Sequence, residues 1–438
     1  MIDIDTLSDP IREFLPKQRW YAGGAEIPDA VEIEDSETIR KEWPVLVHAV
    51  AAVGTQQVSR YQVLIGLRPF GEHAQFLEGV EEGVIGPVES IEGPAYAYDA
   101  LRDPELSKAF FEHIAPALEK VEHVRTINTE QSNTSLVFDD RYIMKVYRRL
   151  MEGENPDVEI TKALWDAGFT SVPEPITDWT FDRTSYAVIR GFLAGGSEGW
   201  SLALTSLRDL FGVHGNPSMA GGDFAPEAAR LGEMTAEMHS KLKEVFGSRE
   251  GKAGAWAQSM RDQLSRLDHP DIDTAPIADT FAALERVKDA GPAIRVHGDY
   301  HLGQVMRTDL GWYVLDFEGE PARSVGERVS STSPLKDVAG MLRSLHYASH
   351  AAMVSHEERL EGLALAWEDH NRQAFLEGYV AKAHAAGLVP DVVEDFETVL
   401  KAFELDKAVY EVFYEQAYRP DWLDIPLHGI KKLTELTT

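Results

Sequence analysis

The 438-residue chain has no cysteine, which excludes disulfides, thiolate zinc sites and a cysteine nucleophile and fits a reducing compartment. Basic residues are scarce, with 42 Lys+Arg against 73 Asp+Glu, a formal charge of −31 and a pI near 4.8. Such a surface repels phosphate backbones and anionic lipid, so neither nucleic acid nor a membrane surface is expected as a partner. Long apolar runs are missing too. The longest, Val45–Val53, is interrupted by His48 and falls far short of the roughly 20 residues a membrane helix needs. The opening Met1-Ile2-Asp3-Ile4-Asp5 lacks the basic and apolar regions of a signal peptide. A cytoplasmic protein is expected.

Hydrophobic residues make up 44% of the chain, including 9 Trp and 18 Phe, which excludes disorder. The length allows two to four domains or subdomains. Residues 1 to about 90 read as a sheet-rich cap, with strand-like runs at Val45–Val53 and Tyr61–Leu67 around a turn at Gly54–Gln57. A helical period follows over Pro104–Val121. Two β-rich runs, Ser135–Phe138 and Arg141–Tyr147, then flank the turn pair Asp139-Asp140, with a helix near Val158–Gly168 and a strand at Tyr186–Phe192. Gly195-Gly196-Ser197-Glu198-Gly199 reads as a flexible connector, which makes residues 91–199 an intermediate segment. From residue 200 to 438 the pattern is helical: Pro226–Val245, Trp256–Leu267, Pro276–Ala290, Leu335–Ser349, Glu357–Ala386 and Val392–Tyr418. One β-rich island, Ile294–His297 with Val305–Arg307 and Trp312–Phe317, interrupts it. The class is α+β.

That island carries the chemistry. His297-Gly298-Asp299-Tyr300-His301-Leu302-Gly303-Gln304 is followed by Asp316-Phe317-Glu318. A protein-kinase catalytic loop has the form H-R-D-x-x-x-x-N, with a metal-binding D-F-G after it. Here Asp299 precedes the amide Gln304 by the same spacing, and Asp316 opens a D-F pair. Phosphoryl transfer needs one carboxylate to accept the acceptor hydroxyl's proton, and hard oxygen ligands to hold Mg2+ against the phosphates. It also needs a strand-borne lysine for the phosphates and a helical glutamate to position it. Lys145, on Ile143-Met144-Lys145-Val146-Tyr147, and Glu159, in the next helix, meet that demand. Taken alone, Lys145 would read as a solvating residue of an edge strand and Asp299 as a turn residue; the ordered set is what points to a kinase. The segment that should cradle phosphates, Glu130-Gln131-Ser132-Asn133-Thr134-Ser135, contains no glycine, so hydroxyl, amide and main-chain N–H groups would have to replace a glycine-rich loop.

The combination resembles the aminoglycoside-phosphotransferase type of eukaryotic-kinase-like fold, and more narrowly the bacterial maltokinases. The matching strings, besides those above, are Lys17-Gln18-Arg19-Trp20-Tyr21-Ala22-Gly23, Asn155-Pro156-Asp157-Val158-Glu159-Ile160, Glu318-Gly319-Glu320-Pro321, Ser333–Met341 and Glu404-Leu405-Asp406-Lys407-Ala408-Val409-Tyr410-Glu411. The resemblance implies a bilobal kinase body behind an N-terminal cap, and ATP-dependent phosphorylation of maltose at its anomeric hydroxyl. The product, maltose 1-phosphate, would feed α-glucan and glycogen synthesis. Carried over by position, Asp299 is the base and Gln304 and Asp316 are Mg2+ ligands, with Glu318 a further candidate. Lys145 pairs with Glu159, residues 131–135 approach the phosphates, and the strand bearing Arg190 and Phe192 supplies the adenine hinge. The family also suggests association with trehalose synthase, and a monomer is expected.

For the sugar, Lys407, Tyr410, Glu411, Tyr414, Glu415 and Tyr418 recur at helical spacing. They offer charge to bond hydroxyls and rings to pack on C–H faces, with His301 nearby in the catalytic loop. An ordinary solvated helix with a Lys407–Glu411 pair is the plainer reading of the same residues. Glucosamine is the alternative acceptor, since acidic Glu411 and Glu415 would suit a cationic amino sugar. Trp20 and Tyr21 are expected to anchor the cap. Two other classes are weighed. Gly195–Gly199 fits the G-x-S-x-G nucleophile elbow of hydrolases, but a helical region follows it rather than alternating strands and helices. A kinase-shaped binding protein would not need the complete acidic and amide set.

Overall fold

The computed structural model describes residues 4–55, 58–71, 81–90, 93–127, 132–219, 222–320, 325–353 and 360–435. The chain forms two compact units, Met1–Glu159 with Pro173–Ala194, and Ile160–Val172 with Gly195–Thr438.

The first unit is built on two sheets. Helix α1 (Ser8–Phe14) precedes β1 (Val31–Arg40), β2 (Val45–Val53), β3 (Ser59–Pro69), β4 (Val84–Ser90) and β5 (Gly93–Asp99). These strands are ordered β1-β2-β3-β5-β4, and all described pairs are antiparallel. β2 is buried on both faces, which explains its near-continuous apolar run. Val47, Ala49 and Ala51 pack with Phe14 and Trp20, while Leu46 joins the opposite core with Phe110 and Phe111. Trp20 and Tyr21 are buried against Tyr61, at ring-centroid distances of 6.0 and 5.4 Å, and anchor the cap.

Helix α2 (Pro104–Ile114) starts where Asp103 accepts the Glu105 N–H (2.9 Å) and Pro104 takes the first turn. It stops at Ile114 and does not run on to Val121, because Pro116 forces Ala115 out of helical geometry (φ −124°, ψ 59°). The second sheet comprises β6 (Val124–Ile127), β7 (Asn133–Phe138), β8 (Tyr142–Tyr147), β10 (Pro175–Phe181) and β11 (Thr184–Gly191), ordered β10-β11-β8-β7-β6; the short β9 (Arg149–Leu150) pairs with β3. Helix α3 (Pro156–Asp166) follows β9, with the Asn155 side chain accepting the Asp157 N–H at 2.9 Å.

In the second unit, β12 (Ser197–Glu198) leads into α4 (Gly199–Val213) and α5 (Ala225–Phe246). Then come β13 (Ser248–Glu250), α6 (Ala253–Leu264), α7 (Ala275–Glu285), β14 (Pro292–Ile294), β15 (Val305–Thr308), β16 (Gly311–Val314) and α8 (Val325–Arg328). The chain continues through α9 (Leu335–Ala351), α10 (Glu361–Ala383), α11 (Val393–Tyr418) and α12 (Asp424–Glu435). One apolar core runs from Leu164 through Leu231, Phe317, Leu342 and Tyr379 to Val412. Gly232 and Gly378 face each other's helix, and a Cβ on either would collide with the main chain of Phe375 or Ala229.

Two expectations are corrected. The Gly195–Gly199 segment is ordered, since Ser197 and Glu198 pair with Arg307 and Met306 and buried Gly199 begins α4. Ser197 is thus an exposed residue of a three-stranded antiparallel sheet, unlike a nucleophile elbow at the end of a parallel strand. The island also splits: β14 pairs with β13, whereas β15 and β16 form the hairpin. No helix of the described residues is long and apolar enough to cross a membrane.

Candidate active site

In the second unit, the segment between β14 and β15 is held open by the main chain and one buried carboxylate. Asp337, in the first turn of α9, accepts the N–H groups of His297 (2.8 Å) and Gly298 (2.9 Å). His239 Nε2 lies 3.0 Å from the same carboxylate and its Nδ1 2.9 Å from the Tyr379 hydroxyl. Burial would raise the Asp337 pKa, but these hydrogen bonds and nearby imidazoles outweigh it and hold the carboxyl below its ordinary range. His297 Nε2 meets the Leu315 carbonyl (2.9 Å), a pure acceptor, so Nε2 carries the proton and Nδ1 is left to accept the Asp299 N–H (3.3 Å). His297 is therefore a structural part of the loop. Gly340 lets α9 pass beneath it, because a Cβ there would sit 2.5 Å from the Tyr300 carbonyl.

Asp299 is partly exposed. Its Oδ1 lies 3.5 Å from Lys407 Nζ and its Oδ2 3.9 Å from His301 Nε2. Lys407 also bonds Glu320, at 2.8 Å. Burial would lower the lysine's pKa, but the Glu320 and Asp299 carboxylates reverse this and raise it, so it stays a cation beside Asp299. Burial lowers the His301 pKa against the opposing pull of Asp299, and its Nδ1 accepts the Gly303 N–H at 3.0 Å.

The β15–β16 hairpin brings Gln304 and Asp316 together. Leu315 donates its N–H to the Gln304 carbonyl (2.9 Å), extending the ladder, and Gln304 Nε2 lies 3.5 Å from Asp316 Oδ2. Asp316 has φ +62°, a left-handed conformation rare outside glycine and typical of functional positions. Phe317 is buried with its ring 4.8 Å from that of His297, which leaves Asp316 and Glu318 partly exposed on either side. Carboxylate and amide oxygens are the donors Mg2+ selects, so this set fits such an ion.

Beside Asp299 lies a cleft of about 500 Å³. Its lining includes Trp200, Tyr347, Tyr410, Tyr414 and Trp422, together with Glu198, His301, Lys407 and Arg419. The helical spacing does put Lys407, Tyr410, Glu411, Tyr414 and Glu415 on this wall, but their surroundings differ from those expected. Glu411 is buried and accepts from Arg343 Nη2 (2.7 Å) and Nε (3.0 Å); Glu415 is buried and accepts from the Tyr347 hydroxyl (3.0 Å) and Arg419 (2.7 Å). Lys407 turns to Glu320 and Asp299 and does not form the i,i+4 pair with Glu411 that the plainer solvated-helix reading would give. Burial raises the Glu411 pKa, with Arg343 opposing. Tyr414 and Tyr418 are exposed. Arg343, Tyr347, Trp200 and Trp422 were not singled out from sequence; its being the lone charge in the stretch Val338–Leu345 is the one signal that could have marked Arg343.

In the first unit, Lys145 sits on β8, the middle strand of five, and is no edge residue. Its Nζ lies 3.9 Å from Asp157 Oδ2 and its neighbour across β7 is the buried Ser135. Arg190 binds the same carboxylate, Nη2 to Oδ2 at 3.0 Å, and the Asp157 carbonyl at 2.9 Å. Asp157, fully buried, was overlooked although the Asn-Pro-Asp capping signal stands in the sequence; Glu159 is half-buried two residues further along the helix, about half a turn round it. Thr134 accepts from Arg148 (2.8 Å) and the Asn133 amide donates to Ser132 (3.2 Å). Gln131 lies outside the described residues. Phe192 donates its N–H to the Arg141 carbonyl (2.8 Å), with the Arg125 guanidinium 5.2 Å from its ring centroid.

Comparison with known proteins identifies the family and the fold. Residues 14–103 match the maltokinase N-terminal cap domain, and residues 123–375 match the phosphotransferase enzyme family. A glucosamine kinase of Streptacidiphilus jiangxiensis is 28% identical over 320 residues, 69% of this chain and 71% of its own. One of Mycolicibacterium smegmatis (strain ATCC 700084 / mc(2)155) is 26% identical over 324 residues, 69% and 77% of the two chains. The solved structure of a glucosamine kinase in complex with glucosamine, ADP and inorganic phosphate superimposes with a TM-score of 0.70 at 22% identity, covering 97% of this chain and 98% of the other. That likeness establishes the kinase-like fold. With a family match over more than half its length, this chain belongs to the phosphotransferase enzyme family.

Proposed function

We propose that the protein is an ATP-dependent sugar kinase that phosphorylates maltose at its anomeric hydroxyl to give maltose 1-phosphate. The observation that carries this reading is Asp299 at the head of an aromatic-walled cleft of about 500 Å³, with a cationic Lys407 at 3.5 Å. The hydroxyl proton passes to the Asp299 carboxylate as the oxygen attacks the γ-phosphorus, and ADP leaves. Lys407, held as a cation by Glu320 and Asp299, places a positive charge 3.5 Å from the accepting carboxylate. Lys145, Glu159 and residues 131–135 serve the nucleotide phosphates, with the strand through Arg190 and Phe192 as hinge; Gln304 and Asp316, with Glu318, hold Mg2+. That ion supplies neutralisation of charge on the phosphates. In this reading residues 1–90 are the cap, 91–199 the nucleotide segment and 200–438 the catalytic and sugar-binding part.

The cleft's charges favour a neutral sugar. Glu411 and Glu415 would have suited an amino sugar, but each is already paired, Glu411 with the buried Arg343 and Glu415 with the exposed Arg419. The rings of Trp200, Tyr410 and Trp422 suit the C–H faces of a disaccharide. Glucosamine is the second reading, supported by the named relatives and by Glu198, a cleft carboxylate whose pKa burial raises. An ADP-release assay across maltose, glucosamine, glucose and aminoglycosides tests the choice. Maltose should give the highest kcat/KM; faster turnover of glucosamine would transfer the assignment to the amino sugar.

A further inference from the structure

Away from the site above, three imidazoles meet where α12 crosses α9. His346 and His350 stand one turn apart on α9 and His428 comes from α12; one ring nitrogen of each lies within 4.8 Å of one of each other. His350 Nε2 and His428 Nδ1 are 3.1 Å apart, and the ring centroids of His346 and His350 are 4.1 Å apart.

The protonation pattern is set by groups that can only accept. His346 Nδ1 lies 3.0 Å from Glu368 Oε2, and the other Glu368 oxygen takes Lys432 Nζ at 3.1 Å, so the ring proton belongs on Nδ1. His350 Nδ1 lies 2.9 Å from the His346 carbonyl, which puts its proton on Nδ1 as well. Both rings therefore present an unprotonated Nε2 in their neutral form. A carboxylate or main-chain carbonyl behind the ring is also the arrangement that orients histidines bound to metals.

One contact calls for positive charge on the ring nitrogen, supplied either by a second proton or by a metal ion. His346 Nε2 lies 3.2 Å from the Ile425 carbonyl oxygen. With the ring proton committed to Glu368, two lone pairs face each other in a buried place. His350 Nε2 and His428 Nδ1 are 3.1 Å apart, a spacing that a proton on His428 can bridge and that is also near the roughly 3.3 Å between two nitrogens bound about 2.0–2.1 Å from one tetrahedral ion.

We propose that His346, His350 and His428 form a binding site for a borderline divalent transition metal, Zn2+ being the probe of choice, with the Ile425 carbonyl or a water in the fourth position. Three imidazoles suit Zn2+ and disfavour Mg2+, which seeks oxygen. The ion pins the C-terminal helix to α9. Tyr347, between two of the ligands, and Trp422, in the turn before α12, both line the acceptor cleft, so the pin also steadies that wall.

The test uses full-length protein without a polyhistidine tag, titrated with Zn2+ in excess Mg2+ so that the oxygen site is occupied. Wild-type protein should take up one Zn2+ per chain, unfold at higher temperature with the metal, and give the visible absorption of tetrahedral nitrogen-bound Co2+. The double variant His350→Asn/His428→Asn should lose at least tenfold in Zn2+ affinity together with the Co2+ spectrum, while keeping its far-ultraviolet dichroism. If the double variant fails to fold, His428→Asn alone, at a half-buried position, is read in the same way. Absence of stoichiometric Zn2+ binding by the wild type, or unchanged affinity and spectrum in the variant, would overturn the site.

Discussion

Asp337 accepts the main-chain N–H of Gly298 at 2.9 Å, so a carboxylate on a helix sets the loop that carries Asp299. In Asp337→Asn one oxygen remains, and the amide N–H2 confronts a main-chain donor. A buried donor left unmatched costs about 1–3 kcal/mol. Chemical denaturation should show a loss of that size, and kcat should fall with KM for nucleotide little changed. Unchanged kcat would remove Asp337 from the positioning of Asp299.

Arg343 and Glu411 are a buried pair, N to O 2.7 Å, in the wall of the cleft. Arg343→Met strands a carboxylate and should destabilise by about 3–5 kcal/mol. Adding Glu411→Leu should recover most of that, because an apolar pair of similar volume can replace a buried ion pair. If the double variant is no more stable than Arg343→Met, the cost lies in packing.

His48 faces Trp179 and Tyr186 in the first unit, and burial lowers its pKa from 6.5 to about 4, with Asp35 and Gln62 opposing and His113 adding to the fall. The unfolded chain therefore binds a proton more readily. The stabilisation is complete above pH 6.5 and is lost as pH falls through that value toward about 4, up to about 3 kcal/mol in all. Thermal unfolding of wild type and His48→Gln between pH 7.5 and 4.5 checks this: the variant should lose less stability on acidification. Parallel curves would show that His48 does not titrate in this way.

Trp422 lines the cleft beside Arg419, whose guanidinium lies 5.0 Å from its ring centroid. Trp422→Ala should raise KM for the sugar by roughly tenfold, as one aromatic wall is worth about 1.5 kcal/mol, and leave KM for ATP unchanged. Equal rises for both substrates would place the ring elsewhere in the reaction.

The legible parts of the molecule were those whose pattern is local. The apolar run around Lys145 and the helix Val393–Tyr418 follow from period alone, and the Asp299, Gln304 and Asp316 spacing survives because one loop and one hairpin hold all three. β1 was missed because Val31–Arg40 is rich in charge, as an edge strand exposed on one side can be. Glu411 was assigned to the sugar, with a solvated helix as the plainer alternative, because helical spacing tells which residues share a face and cannot tell that α9 brings Arg343 against it. Asp157 and Asp337 act through partners 33 and 40 residues away, Arg190 and His297, and no local pattern announces them.

The roles of Asp299 and Asp316 can be separated by measuring single-turnover rate and Mg-nucleotide affinity on Asp299→Asn and Asp316→Asn. Asp299→Asn should lower turnover by about 10²–10⁴ with nucleotide affinity nearly unchanged, whereas Asp316→Asn should weaken Mg-nucleotide binding as well as turnover. Equal loss of nucleotide affinity in both variants, or normal turnover in Asp299→Asn, would contradict the assignment of Asp299 as the base.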